Sequence, residues 1–286
     1  MERLDLPAPL RARVDEWRRQ GLRIGLVPTM GNLHAGHLAL VAKAQAHCQR
    51  VVATVFVNPT QFGPGEDFDR YPRTLEEDAT ALARQGCDLL YAPAVPAIYP
   101  HGPDQACRVV VPALAGVLCG AHRPGHFDGV ATVVARLYNQ VRPDLAVFGE
   151  KDFQQLRILE RLTDDLGYGI DVVRGATVRE ADGLALSSRN RYLDADARAR
   201  APALRAALLR LREGWRAGAA LPALESAGVG ELAAAGLAVD YLEVRREDDL
   251  ERPAPDRPGA LRAFAAVRLG ATRLIDNLAL GEEDGQ

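Results

Sequence analysis

The order of apolar and punctuating residues predicts an α/β protein, a doubly wound parallel sheet followed by a smaller α+β domain. Three observations carry this. Short apolar, β-branched runs alternate with helical-period segments from Leu22 to Val173. Polar loops containing glycine follow several of those runs and lead into helix starts. Past residue 176 the alternation stops, and two helices are followed by strands joined by short turns.

In chain order, Pro7 to Gln20 reads as a helix and Leu22 to Pro28 as a short buried strand. Pro28 and Gly31 break the backbone, and a helix follows with Leu38, Leu40, Val41, Ala42 and Ala44 on its apolar period. A second strand is expected at Arg50 to Val57, then a long Pro/Gly-rich loop to Thr74. Thr74 with Glu77 resembles a capping box for a helix running to Gly86, and Cys87 to Tyr91 reads as the third strand. Further strands are expected at Arg108 to Val111, Leu145 to Phe148 and Ile170 to Val173, with helices at Gly129 to Val141 and Phe153 to Leu166. Asp194 is expected to cap one long helix reaching Trp215, before a helix at Leu221 to Ala235. Strands at Val239 to Val244, Leu261 to Leu269 and Thr272 to Ile275 complete the chain, with a proline-rich turn at Arg252 to Pro258. The expected division is a Rossmann-like domain over residues 1–176 and an α+β domain over 177–286.

At 286 residues the chain is long enough for one large domain or two ordinary ones. No apolar run approaches the about 18 residues that a membrane helix needs, and the charged start lacks a signal-peptide core, so a cytoplasmic protein is expected. A net charge of −3 without any lysine/arginine run offers no footprint for nucleic acid. The four cysteines form no CxxC pair and are expected to be buried thiols, with no zinc site. Basic residues are almost all arginine, and Lys43 and Lys151 are the only lysines. A compact ammonium kept in so arginine-rich a chain invites a specific use, and Lys151 is the better placed of the two.

Three loops carry phosphate-binding chemistry. In the first, a strand feeds Met30 to His37 and then a helix start, where backbone N–H groups and the helix dipole favour an anion. His34 and His37, three residues apart, can present both imidazoles to one side; the bland alternative is a satisfied surface pair. In the second, Gly149, Glu150, Lys151 and Asp152 follow a strand end, offering a point charge for phosphate beside a carboxylate suited to Mg²⁺, with Gln155 one turn on. In the third, Ser187, Ser188 and Arg189 combine hydroxyls with a forked cation. Gln61 and Tyr71 are the informative side chains of the long loop, although spacing alone favours a solvated loop glutamine at Gln61 over a ligand-reading one. His122, Arg123, His126 and Asp128 form a fourth charged loop. No Walker or kinase glycine loop is present, so attack on the α-phosphorus of a nucleoside triphosphate is favoured over γ-phosphoryl transfer.

The stretches PTMGNLHAGH (28–37), FVNPTQF (56–62), RYPRTLEED (70–78), FGEKDFQQL (148–156) and READGLALSSRNRYL (179–193) resemble the pantothenate synthetase family, in order and over essentially the whole chain. That family is part of the HIGH-motif nucleotidyltransferases. HAGH stands for the HIGH signature here, and LSSRN takes the place of KMSKS. The resemblance implies an ATP-dependent ligase, joining (R)-pantoate to β-alanine through a pantoyl adenylate with release of AMP and pyrophosphate. It implies an ATP site formed by Met30, Gly31, Asn32, Leu33, His34, Ala35, Gly36 and His37. Gly149, Glu150, Lys151, Asp152, Val178, Leu186, Ser187, Ser188 and Arg189 would complete that site. His34, His37 and Lys151 would be catalytic, Asp152 would help hold Mg²⁺, and Gln61, Gln155, Asn58 and Tyr71 would bind pantoate and β-alanine, with Arg123 reaching toward the triphosphate. A homodimer and a covering lid drawn from the second domain are further implications. Two rivals stand beside it: a nucleotidyltransferase that stops at an adenylylated product, and a nucleotide sensor without turnover. Membrane and nucleic-acid partners are not expected.

Overall fold

A computed structural model describes residues 1–66, 68–257 and 259–281. The end of the expected second domain and Pro258 of the proline-rich turn lie outside the described residues. The chain divides into two compact units: residues 1–116, 123–150 and 155–176 form the first, and 117–122, 151–154 and 177–286 the second.

The elements in order are β1 (Glu2–Leu4), α1 (Pro7–Arg19), β2 (Ile24–Thr29), α2 (Ala35–Gln45), β3 (Arg50–Val55), α3 (Leu75–Arg84) and β4 (Leu89–Tyr91). Three one-turn helices follow, α4 (Val95–Ile98), α5 (Pro112–Ala115) and α6 (Cys119–His122), then α7 (His126–Val141), β5 (Leu145–Gly149), α8 (Phe153–Asp165) and β6 (Asp171–Gly175). The rest comprises α9 (Ala195–Arg200), α10 (Ala203–Arg216), α11 (Leu221–Ala234), β7 (Ala238–Arg246), β8 (Leu261–Leu269) and β9 (Thr272–Ala279).

The first unit holds a six-stranded sheet in the order β1-β4-β3-β2-β5-β6, every pair parallel. Ile24, Leu26 and Val27 of β2 and Val51, Val52 and Ala53 of β3 are fully buried. Consecutive buried positions mark strands covered on both faces, which is why these runs read as continuously apolar rather than alternating. The chain builds outward from β2 through β3 to β4, then returns to place β5 on the other side of β2. Strand order reverses between β2 and β5, and an open parallel sheet binds ligands at the carboxyl end of such a reversal. Both the histidine loop and Gly149-Glu150 leave the sheet there. This is the doubly wound sheet that the alternation predicted.

The second unit contains the antiparallel sheet β7-β8-β9. Leu204, Leu208 and Leu211 of α10 and Leu232 of α11 share its apolar core with Val244, Ala265 and Val267.

Four expectations are corrected. Residues 108–111 form no strand; Val109 donates its N–H to the Thr132 hydroxyl (2.9 Å) instead of joining a ladder. The helix expected from Asp194 to Trp215 is two, α9 and α10, because Pro202 cannot continue the backbone hydrogen bonding; Asp194 does cap the first, accepting from Ala197 N (2.8 Å). Thr74 precedes α3 without a side-chain cap to the backbone, and its hydroxyl donates to Asp78 (3.2 Å). Cys107 is exposed, whereas Cys48, Cys87 and Cys119 are buried. Strand β1 was not anticipated, since three residues within MERLD carry no periodic signal; they are recruited by pairing with β4.

Candidate active site

After β2 the chain turns sharply. Gly31 and Asn32 both have positive φ (84° and 52°), and a Cβ on Gly31 would lie 2.9 Å from an Asp78 carboxylate oxygen. Glycine is therefore required by conformation and by space. Asp78, 3% exposed on α3, accepts from the N–H groups of Asn32 (2.9 Å) and Leu33 (2.7 Å). Two of the loop N–H groups expected to face an anion are thus committed to a buried carboxylate. Asp78 fixes the loop's path, and sequence reasoning missed it. The acidic run Glu76-Glu77-Asp78 already satisfied the helix-start pattern, so nothing local set Asp78 apart.

His34 is the N-cap of α2 and His37 its third residue. Each ring caps the other's backbone neighbourhood: His34 Nδ1 accepts from Gly36 N (3.2 Å) and His37 Nδ1 accepts from His34 N (3.3 Å). The ring centroids are 4.1 Å apart. An Nδ1 that accepts places the proton of a neutral imidazole on Nε2. Both histidines are thereby held as Nε2–H donors at the amino end of a helix, where negative charge is favoured. The bland reading, a satisfied histidine pair, accounts for the Nδ1 atoms; the functional one concerns the Nε2 edges.

Gln61 is 8% exposed and closes a 3₁₀ turn, Pro59–Gln61. Asn58 Nδ2 donates to Gln61 Oε1 (3.0 Å) and to Gly129 O (3.1 Å), while Asn58 Oδ1 accepts from the Tyr99 hydroxyl (2.8 Å). Burial pushes the Tyr99 hydroxyl above its ordinary value, which keeps it a donor. Gln61 Nε2, its remaining end, donates to the Met30 sulfur (3.1 Å), a weak acceptor. Asn58 is 1% exposed and spends its amide inside the protein. Tyr71 is 6% exposed and packs edge-on against Phe62.

The backbone of Gln61 has its own support. His126 Nδ1 donates to Gln61 O (2.8 Å), so its Nε2 accepts from Arg123 Nη1 (2.9 Å). Arg123 forks onto Glu66 at 2.7 and 2.6 Å. Burial raises the Glu66 carboxyl, but hydrogen bonds and charge from Arg123 outweigh it and hold the group below its ordinary value. Arg123, expected near a triphosphate, is engaged in this strut.

In the second unit, Lys151 Nζ lies 3.8 Å from Asp152, whose side chain is 48% exposed. Val178 and Leu186 pair across a hairpin (Leu186 N to Val178 O, 2.9 Å) whose turn includes Gly183, with φ of 87°. The hairpin delivers Ser187, whose hydroxyl accepts from Arg189 N (3.2 Å) and caps the 3₁₀ turn Ser188–Tyr192. Gln155 is half-buried on α8 in the first unit. Among the described residues no group of three or more His, Cys, Asp or Glu side chains could hold a metal ion, and no helix is long and apolar enough to cross a membrane.

A parallel sheet whose strand order reverses beside a histidine-bearing helix start defines a Rossmann-like α/β protein. The model of the Pantoate-beta-alanine ligase family matches residues 4–279. The pantothenate synthetase of Thioalkalivibrio sulfidiphilus is 56% identical over 280 residues, covering 97% of either chain. That of Xanthomonas axonopodis pv. citri is 53% identical over 274 residues, covering 96% of this chain and 97% of the relative. The crystal structure of the Thermus thermophilus pantothenate synthetase superposes with a TM-score of 0.91 at 48% identity, over 98% of this chain and 99% of that one. The Francisella tularensis pantoate-beta-alanine ligase, solved with beta-gamma ATP and beta-alanine, gives 0.81 at 31% identity, over 99% of each chain. The chain belongs to the pantoate-beta-alanine ligase family.

Proposed function

We propose that the chain condenses (R)-pantoate with β-alanine at the expense of ATP. A carboxylate oxygen of pantoate attacks the α-phosphorus, the bond to the β-phosphate oxygen breaks, and pyrophosphate leaves. The neutral amine of β-alanine then attacks the acyl carbon of the adenylate, loses a proton, and expels AMP as the acyl C–O bond breaks. The observation that carries this reading is the reciprocal histidine cap, which fixes two Nε2–H donors at a helix start on the sheet's switch point. The Francisella tularensis ligase solved with ATP and β-alanine supports the substrate class.

In this reading Met30 to His37 receive ATP, and His34 and His37 stabilise charge growing on the α-phosphate oxygens rather than moving a proton, since a carboxylate nucleophile has none to give. Gln61 Nε2 exchanges the Met30 sulfur for an oxygen of pantoate; Asn58 orients Gln61, and Gln155 and Tyr71 complete that pocket. Gly149, Glu150, Lys151, Val178, Leu186, Ser187, Ser188 and Arg189 attend to the rest of ATP, with Lys151 neutralising phosphate. Asp152, a single half-exposed carboxylate, suits a Mg²⁺ that arrives on the phosphates, because this ion takes one or two carboxylates and keeps substrate oxygens and water as its other ligands. Such an ion would neutralise charge on the departing pyrophosphate. The division into a nucleotide- and pantoate-binding domain (1–176) and a lid domain (177–286), the cytoplasmic location and the homodimer belong to the same proposal.

The test measures AMP, pyrophosphate and pantothenate from ATP, Mg²⁺ and D-pantoate, with and without β-alanine. Sustained AMP and pantothenate formation that requires both acid and amine is expected. Continuous pyrophosphate release with an adenylylated product and no amide would overturn it in favour of an adenylyltransferase.

A further inference from the structure

Asn277 sits on β9 and is 5% exposed. Its Oδ1 accepts from Arg262 Nη1 (2.7 Å), so the amide is oriented and its nitrogen points the other way. That nitrogen donates to the backbone carbonyl of Lys151 (2.9 Å). Arg262, on β8 and diagonal to Asn277 across the ladder, is itself held by Glu247 (2.8 Å). Its guanidinium lies 4.0 Å from the centroid of the Phe153 ring. One buried pair therefore grips the 151–153 turn twice, by the carbonyl of Lys151 and by the ring two residues on. The preceding residue of the same strand, Asp276, accepts two bonds from Arg179 (2.7 and 3.0 Å) and so ties down the hairpin that delivers Ser187 to Arg189. Both phosphate loops of this unit are referenced to adjacent positions of β9.

Resting on the reading of Lys151 as the phosphate-neutralising lysine, we propose that Asn277, oriented by Arg262, is a positioning residue for the adenylation step. It touches no substrate. It sets where the Lys151 backbone stands, and hence where the ammonium meets the triphosphate. Misplacing a charged group by about 1 Å can cost on the order of a hundredfold in rate.

The decisive variant is Asn277→Asp. It keeps the shape and the acceptor for Arg262, but turns an oxygen toward the Lys151 carbonyl in place of a donor. The readouts are pantoate-dependent ATP–pyrophosphate exchange, with KM for ATP and for pantoate, and aminolysis of enzyme-bound pantoyl adenylate by β-alanine in a single turnover. Exchange is expected to fall at least about tenfold in kcat/KM for ATP, with KM for pantoate and the aminolysis rate within about twofold of the parent. A general structural defect would instead lower both half-reactions. Arg262→Lys, which retains the charge beside Glu247 but loses the guanidinium that bonds Glu247 and Asn277 at once, is expected to move the same readouts in the same direction, and it decides the matter if Asn277→Asp fails to fold. Lys151→Ala runs alongside. If it leaves exchange unchanged, the underlying reading of Lys151 falls, and this proposal with it. If it abolishes exchange while a folded Asn277→Asp, or in its place Arg262→Lys, exchanges at the parental rate, the positioning role alone is overturned.

Discussion

At position 37 one imidazole has two duties on opposite edges. Nδ1 accepts the N–H of His34 and helps close the start of α2, whereas Nε2 carries the donor that the proposed chemistry uses. The duties separate in His37→Asn, because an amide oxygen near the Nδ1 position preserves the cap while no group reaches the place of Nε2. Pantoate-dependent pyrophosphate exchange is expected to drop by about 10²–10³, the range for losing one donor to a developing charge. The melting temperature should stay within about 4 °C, since an intact cap keeps any loss below roughly 1 kcal/mol. Exchange near the parental rate in the folded variant would remove His37 from the transition state and leave it a helix cap.

Helix α7 is buried around most of its circumference, which is the condition under which a small residue in it is a matter of approach. A Cβ on Gly129 would stand 2.3 Å from the carbonyl oxygen of Thr60 and 2.6 Å from Gln61 N, both of them backbone atoms that cannot swing aside. The 3₁₀ turn carrying Gln61 is seated directly on this gap, and Asn58 bonds the Gly129 carbonyl as well. Gly129→Ala is accordingly expected to push the turn away, costing about 1–3 kcal/mol of stability as overpacking does. Its kinetic mark should be a KM for pantoate raised at least about tenfold with KM for ATP little changed. An unchanged KM for pantoate in steady-state assays would count against the proposed dependence of pantoate binding on Gln61 in this seat. The same element supplies His126, so α7 holds Gln61 by the carbonyl as well as by the gap beneath it.

Across the whole molecule the thiols report how completely the two units bury their interiors. Burial pushes the Cys87 thiol up to about 11 and raises that of Cys48, and Cys119 is covered too, with the Tyr241 hydroxyl 3.1 Å from its sulfur. Thiolate is the reactive form, so buried thiols whose pKa values are raised resist modification. Titration of the native protein with an aromatic disulfide reagent at pH 8 should therefore show rapid reaction at Cys107 alone, and at all four cysteines in denaturant. Rapid native reaction of Cys48 or Cys87 would mean that the sheet and its helices open far more readily than their packing implies.

The alternation of apolar runs, the helix starts and the loops at strand ends were legible because each is a local property, set by side-chain period and by what proline and glycine allow. That was enough for the parallel sheet, the α+β region and the placement of HAGH, GEKD and SSRN at element ends. The break between α9 and α10 was missed, although its cause, Pro202, is local to the chain; the helical period on either side of the proline outweighed it in the reading. What the sequence could not disclose are partnerships between distant residues. Asp78 lies 45 and 46 positions from the two N–H groups it holds, and Asn277 lies 126 from the carbonyl it fixes. Nor could local pattern tell that residues 2–4 would find an edge strand while 108–111 would not, since pairing depends on a neighbour's open backbone rather than on the segment's own residues. Composition and period determined which elements form and where the polar loops fall. Only the folded chain decided which buried carboxylate, amide or imidazole holds each loop still, because those bonds exist only once the fold has excluded water from around them.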